Sequence, residues 1–127
     1  MSREMQTPLH KVKGLGASHT GTGHFWHERL TSVALIPLTL WFGYAVLGLI
    51  NTNLATVAGF FAHPINTILM AGFVLVALYH IKLGLQVIID DYVHAAGKKI
   101  FLLMLVRFAV IATGAFCLFA LLRIVSL

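Results

Sequence analysis

The sequence predicts an all-α integral membrane protein with three transmembrane helices, and three observations carry that prediction. Hydrophobic residues make up 59% of the 127 and charged residues only 10%, against roughly 25% charged in a soluble domain. Mean hydropathy is +0.91. Three apolar windows, at about 30–51, 65–89 and 100–126, approach or exceed the roughly 20 residues that a helix needs to cross a bilayer core.

The first window is preceded by a polar segment, residues 1–29, in which Gly21-Thr22-Gly23 reads as an irregular lead-in. Pro37 falls inside the first span, where neighbouring helices compensate for a lost backbone donor, so a kink is expected there rather than a break. Asn51-Thr52-Asn53 and His63-Pro64 bracket the first loop, and Gly97-Lys98-Lys99 follows the second span. Arg3, Lys11, Lys13 and Arg29 precede the first span, no Lys or Arg separates spans one and two, and Lys98 and Lys99 follow span two. By the positive-inside rule the N-terminus is expected in the cytoplasm and the C-terminus outside, with Arg123 running against the count.

The formal charge of +5 does not point to nucleic acid, because the basic residues are scattered and most flank apolar runs. Cys117 is the sole cysteine, which rules out an intrachain disulfide and a thiolate cluster for zinc or iron–sulfur. The first 30 residues lack the layout of a signal or transit peptide, so the chain is expected to insert through its own spans. With the residues used almost wholly on apolar segments, chemistry is expected within the membrane or shared with partners.

The second span is unusually polar for a membrane helix: Leu78–His94 reads LYHIKLGLQVIIDDYVH. At about 100° per residue, His80, Gly84, Val87 and Asp91 fall within about 60° of one another and form one stripe. A glycine one turn from a histidine leaves room beside the imidazole for a flat macrocycle, and haem iron accepts such a nitrogen as axial ligand. The alternative is that His80 hydrogen-bonds a neighbouring helix while Gly84 permits close packing. His80 lies about 18 Å of helix from Tyr92, near mid-membrane. His10, His19, His24 and His27 precede the first span and His63 and His94 lie at loops, so a second haem ligand would come from another subunit.

Lys82 points nearly opposite His80 and is expected to snorkel toward the interface, where Asp90 is a candidate partner. Arg107 is similarly deep in the third span and either snorkels or meets an acidic group on a partner. Asp90, Asp91 and Tyr92 end the second span. They read either as helix termination with an interfacial tyrosine, or as a phenol that donates to a quinone carbonyl beside a carboxylate that relays protons. Arg29, at the start of the first span, is either a topological anchor or a guanidinium that pairs with anionic groups such as haem propionates. Phe25, Trp26 and Trp41 read as interface or packing aromatics.

Three spans, the run HFWHERLTSVALIPLTLWF, and His80-x3-Gly84 followed by Asp91-Tyr92-Val93 together resemble the small haem-anchoring membrane subunit, the D subunit, of succinate dehydrogenase (respiratory complex II). The form most similar is alphaproteobacterial, and the resemblance covers essentially the whole chain. It implies packing against a sister three-helix cytochrome b anchor subunit (C), with an iron–sulfur subunit (B) and an FAD-carrying flavoprotein subunit (A) docked at the bacterial inner membrane. It implies one haem b shared with the sister subunit and a ubiquinone-reduction site. By that resemblance His80 would be the axial ligand of the haem iron, Arg29 and His24 would contact the haem propionates, and Tyr92 with Asp91 would bind the quinone. The C subunit also has three spans, a haem histidine and a His-Arg-x-Thr-Gly-type motif. Here the comparable run His27–Ser32 carries an insertion and no final glycine, and the Asp-Tyr pair favours D. The other readings are the anchor of a quinol:fumarate reductase and a haem-free scaffold that uses His80, Lys82 and Asp91 as a proton relay.

Overall fold

The computed structural model describes Leu9 and residues 19–127; Arg3, His10, Lys11 and Lys13 lie outside the described residues. Those described form four helices in an up-and-down order: α1 (His19–Leu49), α2 (Leu54–Ala62), α3 (Pro64–Tyr92) and α4 (Ala96–Val125). The three long helices carry apolar segments of 28, 29 and 30 residues. At about 1.5 Å per residue each exceeds the roughly 30 Å hydrocarbon core, so polar ends project beyond it.

Helix α1 runs unbroken through Pro37 and begins at His19, inside the stretch expected to be an irregular lead-in. It stops where Asn51 takes a left-handed conformation, φ 65°, which the short polar side chain of asparagine tolerates. The Thr52 hydroxyl then donates to the Leu49 carbonyl at 2.7 Å, satisfying one of the acceptors that a helix C-terminus leaves open.

The first loop contains a helix that the sequence reading missed. Asn53 caps α2 by accepting from the Thr56 amide at 2.9 Å. At the other end, Asn66 Nδ2 and Thr67 Oγ1 donate to the carbonyls of Phe60 (2.9 Å) and Phe61 (2.6 Å). Pro64 opens α3, where its missing amide proton costs nothing. The chain thus turns from α2 into α3 with its carbonyls paired, which a membrane rim demands.

Helix α3 is the centre of the bundle, packing against α1 on one side and α4 on the other. Phe42 of α1 stacks on Phe73 of α3 with ring centroids 4.5 Å apart, and Trp41 packs on Phe60 of α2 at 6.3 Å. At the α3–α4 seam a Cβ on Gly114 would stand 3.3 Å from Leu78 Cδ1, so glycine sets the closeness of these two helices. At the polar turn between them Asp90 and Lys99 form an ion pair of 2.9 Å. The Lys82–Asp90 pairing considered from sequence is therefore replaced by a partner one turn into the next helix.

The interior is thin. Ala45, Phe61, Leu83, Ile89 and Leu121 are the buried hydrophobic residues among those described, and 6% of each span's most apolar window is buried within the chain. The remaining apolar surface must meet lipid or other helices. Gly114→Leu should force α3 and α4 apart and destabilise the chain by about 1–3 kcal/mol, the cost of overpacking a fitted seam, read as a lower thermal-inactivation midpoint in detergent. Asp90→Asn should cost below about 1 kcal/mol by the same assay, because the Lys99 pair is solvent-exposed.

Candidate functional site

Two side-chain hydrogen-bond contacts join α1 to α3 across one seam within the candidate spans. On α1, His24, His27 and Thr31 are spaced by three and four residues and share one stripe, with His24 and Thr31 about 20° apart around the helix. On α3, Tyr79 and His80 meet that stripe. His27 Nδ1 lies 2.8 Å from the Tyr79 hydroxyl, and Thr31 Oγ1 lies 2.9 Å from His80 Nδ1. The Thr31 hydroxyl also sits 2.8 Å from the carbonyl of His27 and 3.0 Å from that of Glu28, the backbone contacts usual for threonine in a helix.

His80 is half-buried, and with Nδ1 engaged its other ring nitrogen, Nε2, makes no hydrogen bond among the described residues. One turn on, a Cβ built on Gly84 would meet nothing within 4 Å, so the side of the helix beside the imidazole is open. Toward the N-terminal end of the same seam, His24 Nε2 is buried and has no hydrogen-bond partner in the described residues. A buried imidazole nitrogen without a partner carries a desolvation penalty that an external acceptor or donor would relieve. No three His, Cys, Asp or Glu side chains cluster as a self-contained metal cage among the described residues.

The other candidate residues lie apart from this seam. Arg29 is about 160° around α1 from Thr31, is exposed, and stacks its guanidinium over the Phe25 ring at 5.1 Å. Asp91 and Tyr92 close α3 at its polar end, both exposed, with Tyr92 at 79%. Asp91 makes no ion pair among the described residues, since the carboxylate bound by Lys99 is that of Asp90.

Lys82 behaves differently from the expected snorkelling residue. Its ammonium lies 5.4 Å from the centre of the Tyr79 ring, one turn deeper along α3. Side chains on a helix lean toward its N-terminus, and here that direction leads away from the rim that holds Asp90. Lys82 and Arg107 together line a groove of about 640 Å³ between α3 and α4, otherwise walled by Leu75, Leu78, Tyr79 and Gly114.

Thr31, His27 and Tyr79 are the residues that sequence reasoning did not single out as parts of a site. The signal was present: His24, His27 and Thr31 recur at helical spacing at the start of a span, on a helix whose polar residues had been read one at a time.

Comparison with known proteins finds relatives along most of the chain. Residues 3–116 match the family described as the succinate dehydrogenase/fumarate reductase transmembrane subunit. The succinate dehydrogenase hydrophobic membrane anchor subunit of Paracoccus denitrificans is 33% identical over 114 residues, 88% of each chain. That of Rickettsia bellii is 29% identical over 117 residues, 91% of this chain and 94% of its own. The succinate dehydrogenase membrane anchor subunit of Reclinomonas americana is 28% identical over 91 residues, 69% of this chain and 76% of its own. With three apolar helices of spanning length and a family match across most of its residues, the chain belongs to the succinate dehydrogenase/fumarate reductase transmembrane subunit family.

Proposed function

We propose that this chain is the small anchor subunit of a succinate:ubiquinone oxidoreductase in a bacterial inner membrane, that it supplies one axial ligand to a shared haem b, and that it forms part of the ubiquinone site. The observation that carries the proposal is the engaged Nδ1 and unengaged Nε2 of His80 beside the open flank of Gly84. Succinate oxidation is favoured over fumarate reduction because the curated relatives are named succinate dehydrogenase anchors.

The residues fit a haem. His80 Nε2 would be the ligating atom, and Gly84 would leave space for the macrocycle on the flank of α3. His24 Nε2, buried and unpartnered, supplies an N–H to a propionate, a charge-assisted bond that relieves its burial cost. Arg29 can contribute to the same carboxylates only from its exposed side, so His24 is the better placed of the two. When bound, the haem supplies a one-electron store whose potential the protein sets through its ligands and their hydrogen bonds. A further ligand to the iron would come from the sister cytochrome b anchor.

Reduction of ubiquinone to ubiquinol takes two electrons and two protons. The electrons come from succinate by way of FAD and iron–sulfur centres on partner subunits. The chain's own contribution is at the end of α3: the Tyr92 phenol donates a hydrogen bond to a quinone carbonyl, and Asp91, exposed and without an ion pair among the described residues, passes protons from water. The positive-inside count favours a cytoplasmic position for this end of α3, the side on which a succinate-oxidising head would dock.

Affinity purification of the chain should bring down a flavoprotein and an iron–sulfur protein, and the complex should show b-type bands in its reduced-minus-oxidised spectrum that His80→Ala abolishes or displaces. An intact complex with no such bands would overturn the haem assignment. Tyr92→Phe should lower succinate-to-quinone turnover roughly 10-fold, about the value of one lost hydrogen bond, with succinate-to-dye turnover unchanged; equal loss of both would remove the quinone role.

A further inference from the structure

We infer that Thr31 is a positioning residue for the haem ligand: its hydroxyl accepts the Nδ1 proton of His80, fixes the tautomer that bares Nε2, and so raises the ligand's basicity toward iron. This rests on the reading of His80 as an axial ligand and adds a residue on a different helix to it.

The argument is one of counting protons. A threonine hydroxyl carries one hydrogen, and Thr31 Oγ1 is within hydrogen-bond distance of three groups: the carbonyls of His27 (2.8 Å) and Glu28 (3.0 Å) and the Nδ1 of His80 (2.9 Å). The carbonyl oxygens can only accept, and a threonine hydroxyl within a helix commonly donates back to such a carbonyl. With the hydroxyl proton used in this way, the oxygen turns a lone pair toward His80 and Nδ1 is the donor. A neutral imidazole has a single N–H, so with that proton on Nδ1 the lone pair available to a metal is on Nε2. The reverse bond, Thr31 donating to Nδ1, would take the proton away from both carbonyls and would put the imidazole proton on the nitrogen that faces the iron.

Three features make the contact suited to this task. Threonine is stiff at χ1, and its hydroxyl is held by bonds to its own helix, so the acceptor is preorganised. The contact joins two different helices, so the imidazole's orientation is tied to the packing of α1 on α3 rather than to the rotamer of His80 alone. It also lies within the spanning segments, where low dielectric strengthens a hydrogen bond and makes an unpaired N–H costly. A metal-bound imidazole whose other nitrogen donates to a protein oxygen is a stronger electron donor, and removing such a partner typically costs 10–100-fold in metal affinity.

The test uses the purified four-subunit complex and compares wild type, Thr31→Val, Thr31→Ser and His80→Ala. Thr31→Val keeps the shape and β-branching but removes the acceptor; Thr31→Ser keeps the acceptor. The haem midpoint potential of Thr31→Val should rise, because a less basic ligand stabilises ferric iron less. Its rate of haem loss to apomyoglobin should increase roughly 10-fold or more, and Thr31→Ser should match wild type in both. Succinate-to-dye turnover serves as the control for the partner subunits and should stay constant. If Thr31→Val keeps the wild-type potential and haem-loss rate while His80→Ala loses or displaces the b-type bands, the role of Thr31 is overturned and the ligand assignment stands. If Thr31→Val assembles without haem, the outcome turns on Thr31→Ser, which must restore both values; a Thr31→Ser complex that is equally defective overturns the inference. Wild-type complex without b-type bands, or bands unchanged in His80→Ala, overturns the ligand reading and the inference with it.

Discussion

The polar seam between α1 and α3 is the constraint on which the rest of this structure depends. Two side-chain contacts, Thr31 with His80 and His27 with Tyr79, cross it within a body that is mostly apolar. Hydrocarbon offers no competing hydrogen bonds, so polar groups on membrane-spanning helices are tolerable when each is in reach of another. The pairing therefore selects one rotation and one register of α1 on α3. Everything positioned by either helix follows from that choice: the direction of the His80 ring, the placement of His24 nearer the N-terminal end, and the openness beside Gly84.

A second consequence concerns what the chain lacks by itself. Hydrophobicity does not drive helices together in a bilayer, because the lipid is as apolar as the side chains; close packing and polar contacts must do so. Here close packing is confined to a few places, notably Phe42 against Phe73 and Leu78 against Gly114. Large apolar residues such as Leu40, Leu47, Phe108 and Phe116 remain mostly exposed. A fold with so little interior is suited to a subunit of a larger membrane assembly, and the proposed haem, gripped by one imidazole from each of two chains, would complete the interior that this chain leaves open.

The charged residues divide along the same lines. Asp90 and Lys99 close the turn at the polar end of α3 and α4, where water lowers the cost of both charges. Lys82 and Arg107 sit deeper and line the same groove. Lys82 leans on the Tyr79 ring, whose hydroxyl in turn meets His27, so a deep cation, an aromatic face and the polar seam form one connected set.

The sequence by itself determined the class of the protein and the number of spans, and it supplied the expectation that His80 lies deep and that Asp91 and Tyr92 end their span. Each of these depends on apolar length or on helical period, which are properties of one segment. It also carried a family resemblance that the comparisons with known proteins support. The structure decided the helix between Leu54 and Ala62, the partner of Asp90, the inward lean of Lys82, and the meeting of Thr31 with His80. A spanning helix that is apolar on nearly every side gives no amphipathic stripe from which its rotation can be read. Which hydroxyl finds which imidazole is settled only when two helices lock side chain against side chain, and that is a property of the pair.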